Sequence, residues 1–229
     1  MSNRRTVRNE WKYEISPKSA ILLDARLSAF LKRDKHGGRD GYLIRSLYFD
    51  DIYESAFYEK TAGVKERVKY RIRYYDFHTD VIFFERKRKH GIYIEKDSVM
   101  INRNIAENMI QNRPLKNAVL QDLLLAEYSA LRSSSLLKPR VIVDYQRKAY
   151  TFQEQNVRIT LDSNIQSGMY RSDAFFEKPM MLPVSNHDNV VLEVKFDRYL
   201  PDWPKEALSQ LQLTSQANSK FCMSVLPMI

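Results

Sequence analysis

The sequence predicts an antiparallel α+β barrel flanked by helices, and three observations predict it. Residues Lys65 to Tyr75 alternate strictly, with Lys65, Arg67, Lys69, Arg71 and Arg73 on one face and Val68, Tyr70, Ile72 and Tyr74 on the other. That period of two, built from β-branched and aromatic residues, belongs to a pleated strand with one apolar and one cationic side. Turns at Asp76–Asp80 and His90–Gly91 link this strand to the next two, a meander and therefore antiparallel. Helical stretches recur between groups of strands, which number about eight or nine.

Taken in order, Arg8 to Ile15 reads as a first strand with Glu10, Lys12 and Glu14 on one side. Ser16-Pro17 supplies an N-cap and a proline at the first helical position. The helix they open runs to about Leu31 and is expected to bury Ala20, Leu23, Leu27 and Phe30. Lys32 to Gly41 reads as an exposed loop and Tyr42 to Phe49 as a strand. Asp50 or Asp51 caps a short helical turn ending near Gly63. After the cationic strand come strands from Val81 to Lys89 and from Ile92 to Ile101. Asn102 to Asn112 and Leu115 to Arg132 read as helices parted by Pro114, the second burying Leu120, Leu123, Leu124 and Tyr128. Strands return at Arg140 to Arg147, Ala149 to Phe152 and Val157 to Asp162. Ser163 to Asn189 carries Pro179, Pro183 and several Met and reads as loop with one edge strand. Val190 to Phe196 is a strand; Pro204 to Leu213 and Gln216 to Val225 read as short helices, the last carrying Lys220.

With 229 residues and 44% apolar content, the chain can bury a real core and is most simply one domain. The 14 Tyr and 11 Phe against 6 Gly exclude a disordered, low-complexity chain. A formal charge of +9 calls for an anionic partner: nucleic acid, acidic lipid or a phosphate-rich small molecule. Cys222 stands alone, which excludes an intramolecular disulfide and a zinc cage built on several cysteines, and suits a reducing cytoplasm. Met1 to Trp11 is polar and basic, so no signal peptide is expected. No apolar run approaches ~18 residues, so no membrane span is expected either. His36, His78, His90 and His187 show no metal-ligand spacing and fall in predicted loops, as surface residues do.

The cationic face of Lys65–Arg73 can simply look at water, as half-buried antiparallel strands do. Repetition weighs against that reading. Glu85, Lys87 and Lys89 share one face of their strand, Tyr145 shares one with Arg147, Arg158 with Thr160 and Asp162, and Glu193 with Lys195. If such faces converge inside a closed sheet, only a large anion satisfies them, with the carboxylates holding a metal. Arg86 and Arg88 point outward by parity, and Arg45 shares a face with Leu43 and Leu47. Lys65, Arg67 and Lys89 fit either a lumen mouth or plain solvent, and Lys195 either a ligand contact or a counter-ion for Glu193.

Six stretches in order carry a family resemblance: Ser46-Leu47-Tyr48-Phe49-Asp50, Arg71-Ile72-Arg73-Tyr74-Tyr75, Glu85-Arg86-Lys87, Arg147 with Ala149-Tyr150, Arg158-Ile159-Thr160-Leu161-Asp162, and Leu192-Glu193-Val194-Lys195. Together, from about Glu10 to about Phe221, they resemble the vacuolar transporter chaperone (VTC) catalytic domain, the polyphosphate polymerase branch of the triphosphate tunnel (CYTH-like) metalloenzymes. The resemblance implies one tunnel domain over residues 1–229, with a barrel at about 8–200 and a helical segment at about 201–229 closing or lining it. It places Lys12, Arg71, Arg73, Lys87, Lys96, Arg147, Arg158 and Lys220 as the family's basic residues and Glu193 as the carboxylate for Mn²⁺ or Mg²⁺. Glu85 shares the lumen as a second acidic contact. Glu10 holds only the second half of the superfamily's E-x-E-x-K opening, where Asn and Arg precede it. Lys69, Lys195 and Tyr145 join the phosphate-binding set because they share faces with these residues.

The implied activity moves the γ-phosphate of ATP onto a polyphosphate chain, with catalysis by positioning and charge. A chain end is already anionic, whereas water needs proton removal, and the sequence offers no His-centred base. The rivals are a tripolyphosphatase or nucleoside triphosphatase on the same barrel, and a non-catalytic polyphosphate-binding module. Nucleic acid is not the expected partner, because glutamates on the basic strands repel its backbone.

Overall fold

The computed structural model describes residues 8–34, 38, 40–91, 93–168, 172–184, 189–209, 211, 213–215 and 219–226. β1 (Asn9–Ile15) leads into α1 (Pro17–Phe30), which Ser16 caps by accepting from the Ser19 amide. β2 (Lys32–Arg33), β3 (Tyr42–Asp50) and α2 (Ser55–Thr61) follow. Asp50 terminates β3 and accepts from the amides of Ala56 and Phe57, so one buried carboxylate caps α2 from a distance. The meander is β4 (Glu66–Tyr75), β5 (His78–His90) and β6 (Tyr93–Ile101). Then come α3 (Arg103–Ile110), α4 (Leu123–Ser134), β7 (Lys138–Phe152), β8 (Val157–Gly168), β9 (Leu182–Pro183) and β10 (Val190–Phe196). α5 (Asp202–Ser209), β11 (Thr214–Ser215) and α6 (Lys220–Val225) complete the order.

Every strand pairing is antiparallel. The order is β11-β1-β10-β8-β7-β3-β4-β5-β6, with β2 on β7 and β9 on β8. The ladder is not closed: β11 with β1 stands at one edge and β6 at the other. The sheet nevertheless curls far enough for β1 and β5 to exchange an ion pair between Glu10 and Lys87. It is a barrel by curvature, with a seam.

Parity then sorts the side chains. One outer apolar cluster packs Leu47, Tyr70, Ile72 and Tyr74 beneath α3 and α4; a second packs Ile159, Leu192 and Val194 beneath α1 and α5. A third lies on the inner face, where Val141, Val143, Ile165 and Val191 meet Phe57 of α2 and Phe221 of α6. α2 and α6 therefore close the apolar part of the interior, and the remaining inner positions carry charge.

Several expectations are corrected. Phe30 is 70% exposed, its ring resting on Trp203, and Leu123 is 87% exposed. Leu123 fails because a 3₁₀ turn at Asn117–Gln121 interrupts the expected helix and Asp122 caps a new one, which buries Leu124, Leu125 and Tyr128 instead. Part of the expected Lys32–Gly41 loop is β2. The strands expected at 140–147 and 149–152 are one, β7, whose Lys148 pairs with Asp24 on α1. β8 continues past Asp162 to Gly168, because a register shift at Asp144/Gln146 and the left-handed Asn164 (φ 49°) break the alternation without ending the ladder. Asp76 and Phe77, both at positive φ, make a tight turn, so His78 begins β5 and His90 ends it, both exposed. His36, His187 and residues 216–218 lie outside the described residues.

Candidate functional site

The inner face brings the sequence-predicted residues together around carboxylate centres. On β10, Glu193 Oε1 lies 2.5 Å from Lys195 Nζ, and Oε2 lies 3.8 Å from Lys12 Nζ of β1. Glu10 stands beside them, with Lys87, Lys195 and Lys12 nitrogens at 3.3, 3.4 and 3.7 Å. On β5, Glu85 accepts from Arg71 Nε at 2.6 Å through Oε2 and from Lys96 Nζ at 2.6 Å through Oε1, with Arg73 at 3.9 Å. On β8, Asp162 receives Arg147 through two bonds of 2.6 and 2.7 Å and Lys220 of α6 at 2.6 Å. Arg147 and Lys220 both lie over the ring of Tyr145, at 5.3 and 4.9 Å from its centroid. Lys69 donates to Ser219 Oγ at 2.9 Å and sits 4.7 Å over the Phe221 ring. Arg158 is nearer the rim, pairing with Asp34 at 2.6 Å and donating to the Tyr42 hydroxyl at 3.2 Å.

Electrostatics keep these groups ionised despite burial. Burial pushes the Glu193 carboxyl up, but Lys12 and Lys195 outweigh it and hold it well below the usual carboxylate range. Glu85 likewise is pushed up by burial and carried lower by Arg71, Arg73 and Lys96. Burial and the neighbouring Lys12 depress the Lys87 ammonium to about 8. Tyr48, whose hydroxyl accepts from Arg71 at 3.1 Å, is pushed up by burial and brought down to about 8 by Arg71 and Arg73. Basic groups outnumber carboxylates on this face, so the lumen holds a surplus of positive charge. Among the described residues, the buried Ser46 Oγ, Arg73 Nε and Thr160 Oγ1, all on inward-facing residues, have no hydrogen-bond partner. Ser46 stands opposite Arg73 and Thr160 opposite Glu193 in the ladder.

The VTC domain family matches residues 7–229. This chain belongs to the VTC domain family. Its fold is shared with a proposed adenylate cyclase from Bacillus halodurans, at a TM-score of 0.54 and 14% identity over 96% of each chain. A proposed adenylate cyclase from Vibrio parahaemolyticus matches at 0.51 with 9% identity, over 96% of this chain and 98% of that one. At such identities the likeness is one of fold alone. No functionally curated protein sequence is significantly similar to the chain.

In this VTC domain the donor set for a divalent metal is small. Among the described residues no three His, Cys, Asp or Glu side chains converge as a metal cage. Glu193 and Glu10 are neighbours that share Lys12 and Lys195 as ion-pair partners, with the unpartnered Thr160 Oγ1 opposite Glu193. One or two carboxylates completed by waters and phosphate oxygens is how Mg²⁺ is usually held, so these residues fit it. Glu85 differs: Arg71 and Lys96 each hydrogen-bond one of its oxygens at 2.6 Å.

Sequence reasoning missed part of the VTC site. Asp162 and Tyr48 stand in the stretches that carry the resemblance, and Asp162 shares a face with Arg158, yet the sequence pattern singles out neither as a site residue, nor Tyr42, whose hydroxyl accepts from Arg158. Asp34 lies outside regular structure, where no periodicity points anywhere. Arg45 is outside the lumen: 2% exposed, it pairs with Asp144 at 2.7 Å and donates to the carbonyls of Phe175 and Glu177. Arg86 and Arg88 also point outward and pair with Glu127 on α4. Among the described residues no helix is long and apolar enough to cross a membrane.

Proposed function

We propose that this VTC domain is a polyphosphate polymerase-like phosphotransferase that moves the γ-phosphate of ATP onto a polyphosphate chain. The bond between the γ-phosphorus and the β–γ bridging oxygen breaks, a terminal oxygen of the chain takes the phosphoryl group, and ADP leaves. The observation that carries the reading is the convergence of Arg71, Arg73, Arg147, Lys12, Lys87 and Lys220 on one lumen that also holds the unpartnered Arg73 Nε, Ser46 Oγ and Thr160 Oγ1. Arginine forks suit phosphate oxygens, and a loose phosphoryl-transfer transition state is served by such positioning. Glu193 and Glu10 would hold Mn²⁺ or Mg²⁺, which when bound supplies charge neutralisation between phosphate oxygens. The acceptor oxygen is anionic, so no residue has to deprotonate it.

Incubation with ATP and Mn²⁺ tests the reading directly: long-chain polyphosphate and ADP are expected, and orthophosphate as the sole phosphate product would overturn it. One observation favours a second reading, triphosphate hydrolysis. Tyr48, lowered to about 8 beside Arg71, is a group able to orient or deprotonate water. Orthophosphate release from tripolyphosphate that disappears in Tyr48→Phe would establish it.

A further inference from the structure

On the outer side of the sheet β7 changes neighbours. Tyr42 of β3 stands opposite Arg147, and Arg33 of β2 stands opposite Tyr150. Between these pairs neither β3 nor β2 stands opposite Lys148 or Ala149, although the Ala149 carbonyl accepts from the Asp34 amide. The gap is a recess of about 180 Å³ lined by Arg33, Gly38, Gly41, Lys148, Ala149 and Tyr150. Gly41 makes it possible: at φ 81° its backbone lies so near β7 that a Cβ would stand 2.2 Å from the Arg147 carbonyl oxygen. Gly38 leaves open space where a side chain would point.

Strand parity sorts the charges around the recess. Arg33 is the cross-strand partner of Tyr150 and shares its outward face, with Cζ 5.8 Å from the ring centroid. Lys148 lies two residues before Tyr150 and so faces the same way. Both basic side chains are half-buried. Asp24 of α1 accepts from Lys148 Nζ at 2.8 Å and from the Tyr150 hydroxyl, which fixes the lysine in place. Two cations against one carboxylate leave positive charge in excess, and that suits a small anion. Volume decides the size. Sites for drug-sized organic ligands begin at about 300 Å³, so the recess takes a single tetrahedral oxyanion and not a nucleotide.

We propose that Arg33, Lys148 and the backbone at Gly38 and Gly41 form an effector site for one small oxyanion of the orthophosphate class, on the sheet face opposite the lumen. Each basic side chain adjoins a lumen residue in sequence. Asp34 follows Arg33 and pairs with Arg158 at 2.6 Å; Arg147 precedes Lys148 and pairs with Asp162. An anion gripped by Arg33 and Lys148 fastens β2 to β7 and holds Asp34 on Arg158. Arg158 is then less available to a phosphate inside, so occupancy outside opposes binding inside. The site stands apart from the functional reading above; only the coupling rests on it.

The test is equilibrium dialysis of labelled orthophosphate against the whole chain, its lumen saturated with tripolyphosphate. One bound orthophosphate per chain is expected, with affinity about tenfold or more weaker in the double variant Arg33→Gln, Lys148→Gln. Asp24→Asn is expected to strengthen it about threefold or more, because a repelling carboxylate is lost. Orthophosphate should also lower tripolyphosphate affinity about threefold more in the parent than in the double variant. No orthophosphate bound beside a filled lumen, binding indifferent to both glutamines, or weaker binding in Asp24→Asn would overturn the site. Equal effects on tripolyphosphate in parent and double variant would overturn the coupling. A parent that does not bind tripolyphosphate would defeat the functional reading and the coupling with it. Dialysis without tripolyphosphate then still decides the site, by a difference of one orthophosphate per chain between parent and double variant. Lys148→Gln alone, with an expected intermediate loss, serves if the double variant folds poorly.

Discussion

Lys87 Nζ lies 3.3 Å from Glu10 Oε2 although five strands separate β5 from β1 in the hydrogen-bonded order. That one contact spans the seam that the ladder leaves open. It also joins the basic β4–β5 wall to the carboxylate pair of β1 and β10, so curvature, and not ladder closure, assembles the site.

The same lysine sets a pH dependence. Burial, Lys12 and Lys195 press Lys87 down to about 8 against the pull of Glu10. Its ordinary value is about 10.4, so the unliganded fold favours the neutral amine. On this group's account, stability is lowest below pH ~8 and rises as pH climbs from ~8 towards ~10.4. Binding a polyanion favours the ammonium, so triphosphate affinity should fall between pH ~7 and ~9 with proton uptake on binding near pH ~8. Calorimetry in buffers of different ionisation enthalpy reads that uptake; Lys87→Met should reduce it, leaving the share of Tyr48, which is also brought to about 8.

Glu193 and Glu85 should separate cleanly. Glu193→Gln removes one of the two carboxylates that fit a metal and is expected to weaken Mn²⁺ binding in the presence of tripolyphosphate by about tenfold or more. Glu85→Gln, whose oxygens face Arg71 and Lys96, should change it by less than about threefold. A Mn²⁺ titration followed by electron paramagnetic resonance distinguishes them, and equal losses would defeat the assignment.

Asp162 has no exposed side-chain surface and neutralises both Arg147 and Lys220. Asp162→Asn is expected to cost about 3 kcal/mol in urea unfolding, since it leaves two enclosed cations uncompensated. Tripolyphosphate should then raise the melting temperature of the variant more than that of the parent, because phosphate oxygens replace the missing carboxylate.

Arg45 makes the opposite case. Arg45→Met leaves Asp144 buried without its partner on the outer face of the sheet, and about 3–5 kcal/mol should be lost. Where the variant remains folded, its triphosphate affinity should match the parent's, as equilibrium dialysis would record.

Much of this site was legible in the chain because a strand's period of two is unforgiving. Placing Ile72 against α3 and α4 obliges Arg71 and Arg73 to face the lumen, and the same logic orients Glu85, Arg147, Arg158 and Glu193. Where the period breaks, legibility ends. The left-handed Asn164 and the shifted register opposite it hid the second half of β8, and the Asp122 cap hid the restart of α4. Charge balance was legible only in sum. That Asp162 rather than Glu193 neutralises Arg147, or that Arg67 and Lys89 face each other uncompensated, depends on which strands become neighbours, and local pattern does not encode that.

The first strand and the last helix both supply side chains to the lumen: Lys12 pairs with Glu193, and Lys220 with Asp162. During synthesis on the ribosome, β1 therefore waits for β10 to emerge before its ladder can form, and Asp162 waits longer still for its lysine. The charge balance of the lumen is therefore out of reach of a half-made chain and is completed only when the last helix docks.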